Sequence, residues 1–148
     1  MSTTVSVEVA GEVTGELEAD VARLLPQLSS SAPAQTAAEL GEIVASDGAV
    51  LFLAREAPGA PALGMLTLVT YRIPTGVHAV IEDVVVDQSA RGKGVGQALM
   101  GAALEEAHRR GSRHVDLTSR PSREAANRLY QRSGFAIRET NVYRHTER

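Results

Sequence analysis

Three glycines alternate with other residues near the middle of this 148-residue chain, in the stretch Arg91-Gly92-Lys93-Gly94-Val95-Gly96. A strand pattern precedes the stretch and a helical pattern follows it. Because glycine has no Cβ, a ligand can approach the backbone closely, and the N–H groups at a helix start point toward an anion. Arg91 and Lys93, the only lysine, add positive charge. The stretch therefore predicts a site for a phosphate or pyrophosphate.

The spacing excludes two familiar phosphate loops. G-x-G-x-G differs from the G-x-G-x-x-G of dinucleotide-binding folds, and Lys93 precedes the second glycine, which does not fit the P-loop pattern. A flexible turn that binds nothing is the alternative. The order of strand, loop, two cations and helix start favours the phosphate site.

A second group of residues lies on a predicted helix that runs from residue 121 or 122 to residue 132 and ends before Gly134. Asn127 and Tyr130 are three residues apart, so they share one face of this helix. Tyr130 is a candidate hydrogen-bond donor, since a phenol stays neutral at pH 7. A core aromatic ring whose hydroxyl is satisfied elsewhere is the alternative.

The elements that must position these residues follow the order β-α-α-β-β-β-α-β-α-β-β. The predicted strands are Val5–Val9, Ala49–Ala54, Leu63–Tyr71, His78–Asp87, His114–Thr118, Phe135–Ile137 and Asn141–Arg144. The other predicted helices are Gly15–Leu28, Gln35–Ser46 and Gln97–Arg110. We therefore predict one α/β domain over residues 1–148, with a mixed, mostly antiparallel sheet of about seven strands and four flanking helices.

Composition excludes several classes of protein. The chain has no cysteine, which removes disulfides, thiolate metal sites and acyl-cysteine intermediates, and no metal-binding motif with paired histidines is present. No apolar run approaches the about 18 residues that a membrane span needs. The N-terminus lacks the pattern of a secretion signal, so we expect a cytoplasmic protein.

Charge is divided unevenly along the chain, whose net charge is −3. Residues 1–87 carry 3 basic and 12 acidic side chains, whereas residues 88–148 carry 12 basic and 6 acidic ones. The acidic balance counts against a dedicated nucleic-acid-binding domain. The basic part contains the predicted phosphate loop and should hold a ligand rich in phosphate.

Two motifs and the element order together resemble the GNAT superfamily of acyl-CoA-dependent N-acyltransferases. Residues 91–96 match its pyrophosphate motif, [Q/R]-x-x-G-x-[G/A], and residues 126–135 match its A-x-x-x-Y-x-x-x-G-F signature. The resemblance covers essentially the whole chain. One small departure is Gln88, where many members have proline.

The resemblance implies acetyl-CoA as the acyl donor, and the absence of metal-binding motifs predicts no metal. In that family the pantetheine arm inserts beside the fourth strand, so the backbone of Val84, Val85 and Val86 would pair with it. The amides of residues 91–96 would hold the pyrophosphate, and Asn127 would contact the CoA arm. Arginine pairs well with phosphate, and Arg123 and Arg128 are our candidates for the 3′-phosphate.

Two side chains are candidates for the chemistry of acyl transfer. The resemblance places the Tyr130 hydroxyl near the thioester sulfur, where it can donate to the leaving thiolate. Glu82 is the candidate base, because on an ideal strand it shares a face with Val80, Val84 and Val86. Asp83 points the other way unless a bulge rotates the chain. A ligand for the substrate ammonium, or an exposed strand residue, is an equal alternative for Glu82.

The sequence thus predicts an enzyme that transfers an acetyl group from acetyl-CoA directly to a primary amine. The acidic N-terminal part favours an acceptor that is a small cationic molecule. A protein N-terminal or lysine acetyltransferase and a non-catalytic CoA-binding regulatory module are the alternatives. We expect no nucleic acid or membrane partner, and the resemblance is compatible with a homodimer.

Overall fold

The computed structural model describes residues 4–147, which form two compact units that divide between Thr118 and Ser119. In the first unit the strands are β1 (Ser6–Val9), β2 (Ala49–Arg55), β3 (Gly64–Ile73), β4 (Gly76–Val86) and β5 (Val115–Asp116). Its helices are α1 (Gly15–Leu28), α2 (Ala37–Ala45) and α3 (Val95–Arg109). The second unit holds α4 (Glu124–Arg132).

The five strands form one sheet in the spatial order β1-β2-β3-β4-β5. The pairs β1–β2, β2–β3 and β3–β4 are antiparallel, and β5 runs parallel to β4. β3 and β4 make the longest ladder, from Ile73 opposite Gly76 to Gly64 opposite Val86. This mixed α/β arrangement confirms the predicted fold class.

Helices cover both faces of the sheet. A buried cluster joins α1 and α2 to one face, and its members are Leu17, Val21, Leu24, Leu40, Leu51, Leu53, Ala62, Met65 and Val85. α3 packs on the opposite face through Val95, Leu99, Met100, Ala103 and Ala107, all of which are buried. This spacing of three and four residues is the helical pattern that the sequence predicts.

Threonine side chains start the first two helices. Thr14 accepts a hydrogen bond from the Leu17 N–H at 3.1 Å and caps α1. Thr36 accepts from the Glu39 N–H at 3.1 Å, and the Glu39 carboxylate accepts in return from the Thr36 N–H at 2.9 Å. This reciprocal pair is a complete capping box, so the start of α2 is closed by its own side chains.

The strand count differs from the prediction of about seven. In the described part of the chain the predicted strands at 135–137 and 141–144 do not form, and β5 is shorter than predicted. The side chains of Ile137 and Tyr143 are each 87% exposed. Because strand pairing is stabilised chiefly by side-chain burial and cross-strand contacts, these short alternating runs gain little from pairing.

None of the helices formed by residues 4–147 combines the length and the apolar character that crossing a membrane requires.

Candidate active site

The start of α3 has no side-chain cap. Gly94 precedes the helix in the left-handed region, at φ +82°, and contributes no side-chain hydrogen bond. The first helical bond runs from the Ala98 N–H to the Gly94 carbonyl at 3.1 Å. The N–H groups of Val95, Gly96 and Gln97 therefore have no helical acceptor, and no other described residue accepts from them. They lie at the positive end of the helix dipole, where an anion is stabilised.

The glycines before α3 are required by backbone conformation. Gly92 and Gly94 have φ values of +83° and +82°, which side-chain-bearing residues rarely adopt. A Cβ added at either position would meet no atom within 4 Å, so the space beside the loop is open. One amide is already used, because the Lys93 N–H donates to the Ala90 carbonyl at 3.2 Å. The Lys93 N–H is therefore satisfied within the loop, unlike the three N–H groups at the start of α3.

A close contact between β3 and α3 determines where this loop lies. A Cβ on Gly64 would come within 2.9 Å of Val95 Cγ1 and 3.1 Å of Leu99 Cδ1. Both of those side chains are fully buried. Glycine at this point of β3 allows the first turn of α3 to pack directly on the strand, which positions the free N–H groups.

Two exposed cations flank the free N–H groups. The side chains of Arg91 and Lys93 are both exposed. The Lys93 ammonium is 3.8 Å from the Glu56 carboxylate, and both side chains are about half exposed, at 43% and 51%. Such a surface pair is weak, so the lysine can exchange this partner for a phosphate.

β4 has an unpaired edge beside the loop. β5 pairs with β4 only at Ala79 and Val80, so in the described sheet residues 81–86 have a strand neighbour on the β3 side alone. The three predicted residues Val84–Val86 lie within this segment. Their outward backbone groups are free to pair with an extended ligand, as in strand addition.

A bulge interrupts β4 within this segment. Asp83 is the one non-glycine residue with positive φ in the described chain, at +52°. The register with β3 shifts at the same place, since Thr67 lies opposite Glu82 whereas Met65 lies opposite Val85. One residue of β3, Leu66, thus lies opposite two residues of β4, Asp83 and Val84, which is the count of a β-bulge.

The bulge changes which side chains share a face of β4. Thr67 and Met65 are two residues apart on β3 and share a face, so their partners Glu82 and Val85 also share one. The prediction that Glu82 lies on one face with Val84 and Val86 is therefore wrong. The sequence of β4 does not reveal the bulge, because the register of β4 is set by its pairing with β3.

Glu82 shares its face with Val80 and His78, which precede the bulge at alternate positions. Its side chain is exposed and makes no hydrogen bond to any described residue. His78 is engaged structurally: its Nε2 is 2.8 Å from Thr75 Oγ1, and its ring stacks on Tyr71 with centroids 5.7 Å apart. Glu82 is thus a free carboxylate beside the unpaired edge of β4.

In the second unit, the end of α4 explains the sequence motif around Tyr130. Gly134 has φ +94°, its N–H donates to the Gln131 carbonyl, and the Phe135 N–H donates to the Tyr130 carbonyl at 3.0 Å. This pattern is a Schellman motif. The rings of Phe135 and Tyr130 meet edge to face with centroids 6.2 Å apart. Gly134 and Phe135 therefore fix the position of Tyr130 at the end of the helix.

Tyr130 is buried, with only 6% of its surface exposed. Burial raises the pKa of its hydroxyl, and the positive charge of Arg123 offsets part of that rise. The hydroxyl therefore stays protonated at neutral pH and keeps its proton for donation.

The other candidate residues of α4 lie near its start. The Asn127 amide nitrogen donates to the Arg120 carbonyl at 2.9 Å, which leaves its second N–H and the amide oxygen of Asn127 for a ligand. Arg123 and Arg128 are exposed. The helix begins at Glu124, later than the predicted start at residue 121 or 122, because residues 121–123 form a turn.

Residues 22–135 match the Acetyltransferase (GNAT) family. An uncharacterized N-acetyltransferase of Methanocaldococcus jannaschii is 39% identical over 61 residues, which are 41% of this chain and 27% of that protein. The matched segment thus spans about a quarter of the length of this curated relative.

Solved structures resemble the chain over nearly its whole length. A Trypanosoma brucei acetyltransferase is 25% identical with a TM-score of 0.76, covering 97% of this chain and 100% of that one. A transcriptional regulator from Bacillus halodurans C-125 is 27% identical with a TM-score of 0.79, at the same coverage. An aminoglycoside N-acetyltransferase in complex with CoA, 20% identical, shares the fold with a TM-score of 0.80 over 99% of this chain and 97% of that one. The family match, which spans most of the chain, confirms the resemblance and the acetyltransferase class: the chain belongs to the acetyltransferase (GNAT) family.

Proposed function

We propose that this chain transfers an acetyl group from acetyl-CoA to a primary amine of a small cationic molecule. The uncapped start of α3 is the observation that carries the proposal. Three free N–H groups, an open space beside Gly94 and two exposed cations suit a pyrophosphate. Acetyl-CoA supplies an acyl group activated as a thioester, and the GNAT family uses this donor.

The unpaired edge of β4 would bind the rest of the donor. The backbone groups of residues Val84–Val86 would pair with the amides of the pantetheine arm, as an added strand does. Asn127 would contact the same arm through its side-chain amide, and Arg123 and Arg128 would contribute positive charge for the 3′-phosphate.

Two side chains would serve the chemical step. Glu82 accepts a proton from the attacking amine, or binds its ammonium form before proton loss, since only the neutral amine is nucleophilic. Tyr130 donates from its hydroxyl to the departing sulfur, and its raised pKa keeps that proton in place until then. The acyl group passes directly to the amine as the C–S bond breaks and the C–N bond forms, and a chain without cysteine has no thiol that could carry it instead.

The acceptor is proposed from charge. Residues 1–87 carry 12 acidic side chains against 3 basic ones, a balance that attracts cations and disfavours anions. The solved structures of this fold include an acetyltransferase that acts on aminoglycosides, which are polycationic amines. A panel of polyamines, aminoglycosides, basic peptides and phosphorylated amines, followed by release of free CoA, tests this proposal. Turnover of phosphorylated amines alone would contradict it.

A second candidate is a regulatory module that binds CoA without turnover. The 27% identity to a transcriptional regulator favours it. Tyr130→Phe separates the two functions, because it removes the donor while keeping the ring. For an enzyme we expect kcat to fall at least about 100-fold with the Kd for CoA unchanged, in line with the usual contribution of general acids.

Tyr143→Phe is the matched control for that variant. Tyr143 lies in the same unit, but its side chain is 87% exposed. The control should keep full turnover. Equal turnover of wild type and Tyr130→Phe would remove Tyr130 from the mechanism, and absence of turnover from the wild type on every amine would favour the regulatory module.

A further inference from the structure

Two side chains of α1 contact the residues that lead from β4 into the glycine-rich loop. Arg23 Nε donates to Asp87 Oδ2 at 3.3 Å, and the Gln88 N–H donates to Gln27 Oε1 at 3.0 Å. Asp87 and Gln88 follow the last residue of β4 directly. A helix far away in the sequence thus holds the chain just before Arg91.

Asp87 in turn shapes the short 3₁₀ turn at Gln88–Ala90. Its Oδ1 accepts from both the N–H and the hydroxyl of Ser89, each at 3.0 Å, and its carbonyl accepts from the Ala90 N–H at 2.9 Å. Hydrogen bonds from Ser89, followed by smaller contributions from Arg23 and Gln27, lower the pKa of Asp87. The carboxylate is therefore ionised at neutral pH and available to both α1 and the turn.

Arg23 is held in place by two further contacts. Its Nη1 is 3.4 Å from Asp20 Oδ1, and its Nη2 donates to the Ala62 carbonyl. The same Asp20 oxygen accepts from the Ala62 N–H at 3.1 Å. One guanidinium therefore joins α1, the loop before β3 and Asp87, which a shorter or single-donor side chain cannot do.

The space beside these polar contacts is not closely packed. A cavity of about 380 Å³ borders them, and Arg23, Asp87 and Ser89 are among its lining residues. The backbone also restrains the turn, since the Asp87 N–H donates to the Leu63 carbonyl at 2.8 Å and Ala90 is buried. Together with the bond from the Gln88 N–H to Gln27, the contacts of Arg23 are therefore the restraint that α1 places on the turn that precedes Arg91.

We propose that Arg23 is a positioning residue for acyl-CoA binding. It holds Asp87, Asp87 holds the turn at residues 88–90, and the turn sets the place of the glycine-rich loop. The inference rests on the proposed function, since it takes CoA to be the ligand of that loop. In this proposal Arg23 acts through Asp87 and not by contact with CoA.

Calorimetric titration with CoA tests the proposal on the intact protein. For Arg23→Gln we expect the Kd for CoA to rise about 10-fold, which corresponds to one lost hydrogen bond to a charged group. Arg23→Lys should recover part of the loss, because it keeps the charge but not the fork. In turnover the KM for acetyl-CoA should rise while kcat stays unchanged, a split that general destabilisation would not produce.

Two comparisons isolate the contact with Asp87. Arg72→Gln, an exposed arginine of β3 in the same unit, is the matched control and should bind CoA as the wild type does. In a double-mutant cycle, Arg23→Gln should add little to the loss caused by Asp87→Asn. Additive losses, or a folded Arg23→Gln variant with wild-type affinity, would overturn the inference.

Amide hydrogen exchange tests the role of Arg23 without CoA, and so independently of the proposed function. Without any ligand, Arg23→Gln should speed exchange at residues 88–94, whereas Arg72→Gln should not. Unchanged exchange would overturn the role of Arg23 whatever CoA does. A wild-type protein that binds no CoA would instead refute the proposed function.

Discussion

The helices α2 and α3 begin in opposite ways. At α2, Thr36 and Glu39 satisfy each other's backbone N–H groups in a capping box, and this contact lowers the pKa of Glu39. At α3, Gly94 contributes no cap, and three N–H groups remain without an acceptor in the described chain. Both starts are positive ends of a helix dipole. The difference teaches that α2 uses this field for its own stability, whereas α3 leaves it free for the ligand that we propose.

The test of this comparison with the largest expected effect places a carboxylate at the start of α3. Gly94→Asp puts a negative charge beside the free N–H groups, in a residue type that adopts positive φ more readily than most. Repulsion between charges about 4 Å apart near a protein surface should weaken CoA binding at least about 100-fold. Calorimetric titration measures the change.

Gly94→Asn is the matched control, since it has the same shape without the charge. We expect it to lose much less affinity than the aspartate variant, while both keep similar melting temperatures. Equal affinities of the two variants would show that no anion binds at the start of α3.

The next test removes the cap of α2. Thr36→Ala should lower the free energy of unfolding by about 1 kcal/mol, because the Glu39 N–H loses its acceptor. The melting temperature should fall by about 2–4 °C for a chain of this size. The Kd for CoA should not change.

Thr118→Ala provides the control, because Thr118 is exposed and starts no helix. It should melt as the wild type does. A change in CoA affinity for Thr36→Ala would contradict the division between a structural helix start and a ligand-binding one.

The test with the smallest expected effect removes the acidic neighbour of Lys93. Glu56→Gln removes the carboxylate 3.8 Å from the Lys93 ammonium, so a phosphate that binds the lysine no longer has to break this ion pair. CoA should bind up to about 5-fold more tightly at low salt, the range of an exposed ion pair. The gain should vanish at high salt because the pair is screened.

Glu12→Gln, at another exposed glutamate, should leave the affinity within error of the wild type. Weaker binding by Glu56→Gln would show that Glu56 helps to hold the loop rather than competing for Lys93.

The glycine-rich loop can be predicted from the sequence because its determinants are local. Alternating glycines, two cations and the start of a helical pattern all lie within Arg91–Gly96. The end of α4 is equally local, since Gly134 and Phe135 close the helix on Tyr130 itself. In both places a few neighbouring residues determine the backbone.

Features that depend on distant pairing could not be predicted in this way. The bulge at Asp83 follows from the register with β3, and the Arg23 contact joins residues 64 positions apart. The prediction of two C-terminal strands is wrong because a local pattern alone does not make a strand. Their alternating pattern is present, but Ile137 and Tyr143 remain exposed and no described strand pairs with them.

The bulge in β4 also bears on protection against aggregation. A strand edge with free backbone groups can recruit a strand from another chain, and proteins block such edges with bulges and charges. Here Asp83 breaks the edge and Glu82 and Asp83 add two exposed carboxylates, so only residues Val84–Val86 continue it. Three residues are fewer than the about 5–6 residues of a typical strand. An edge this short is a poor template for a second polypeptide.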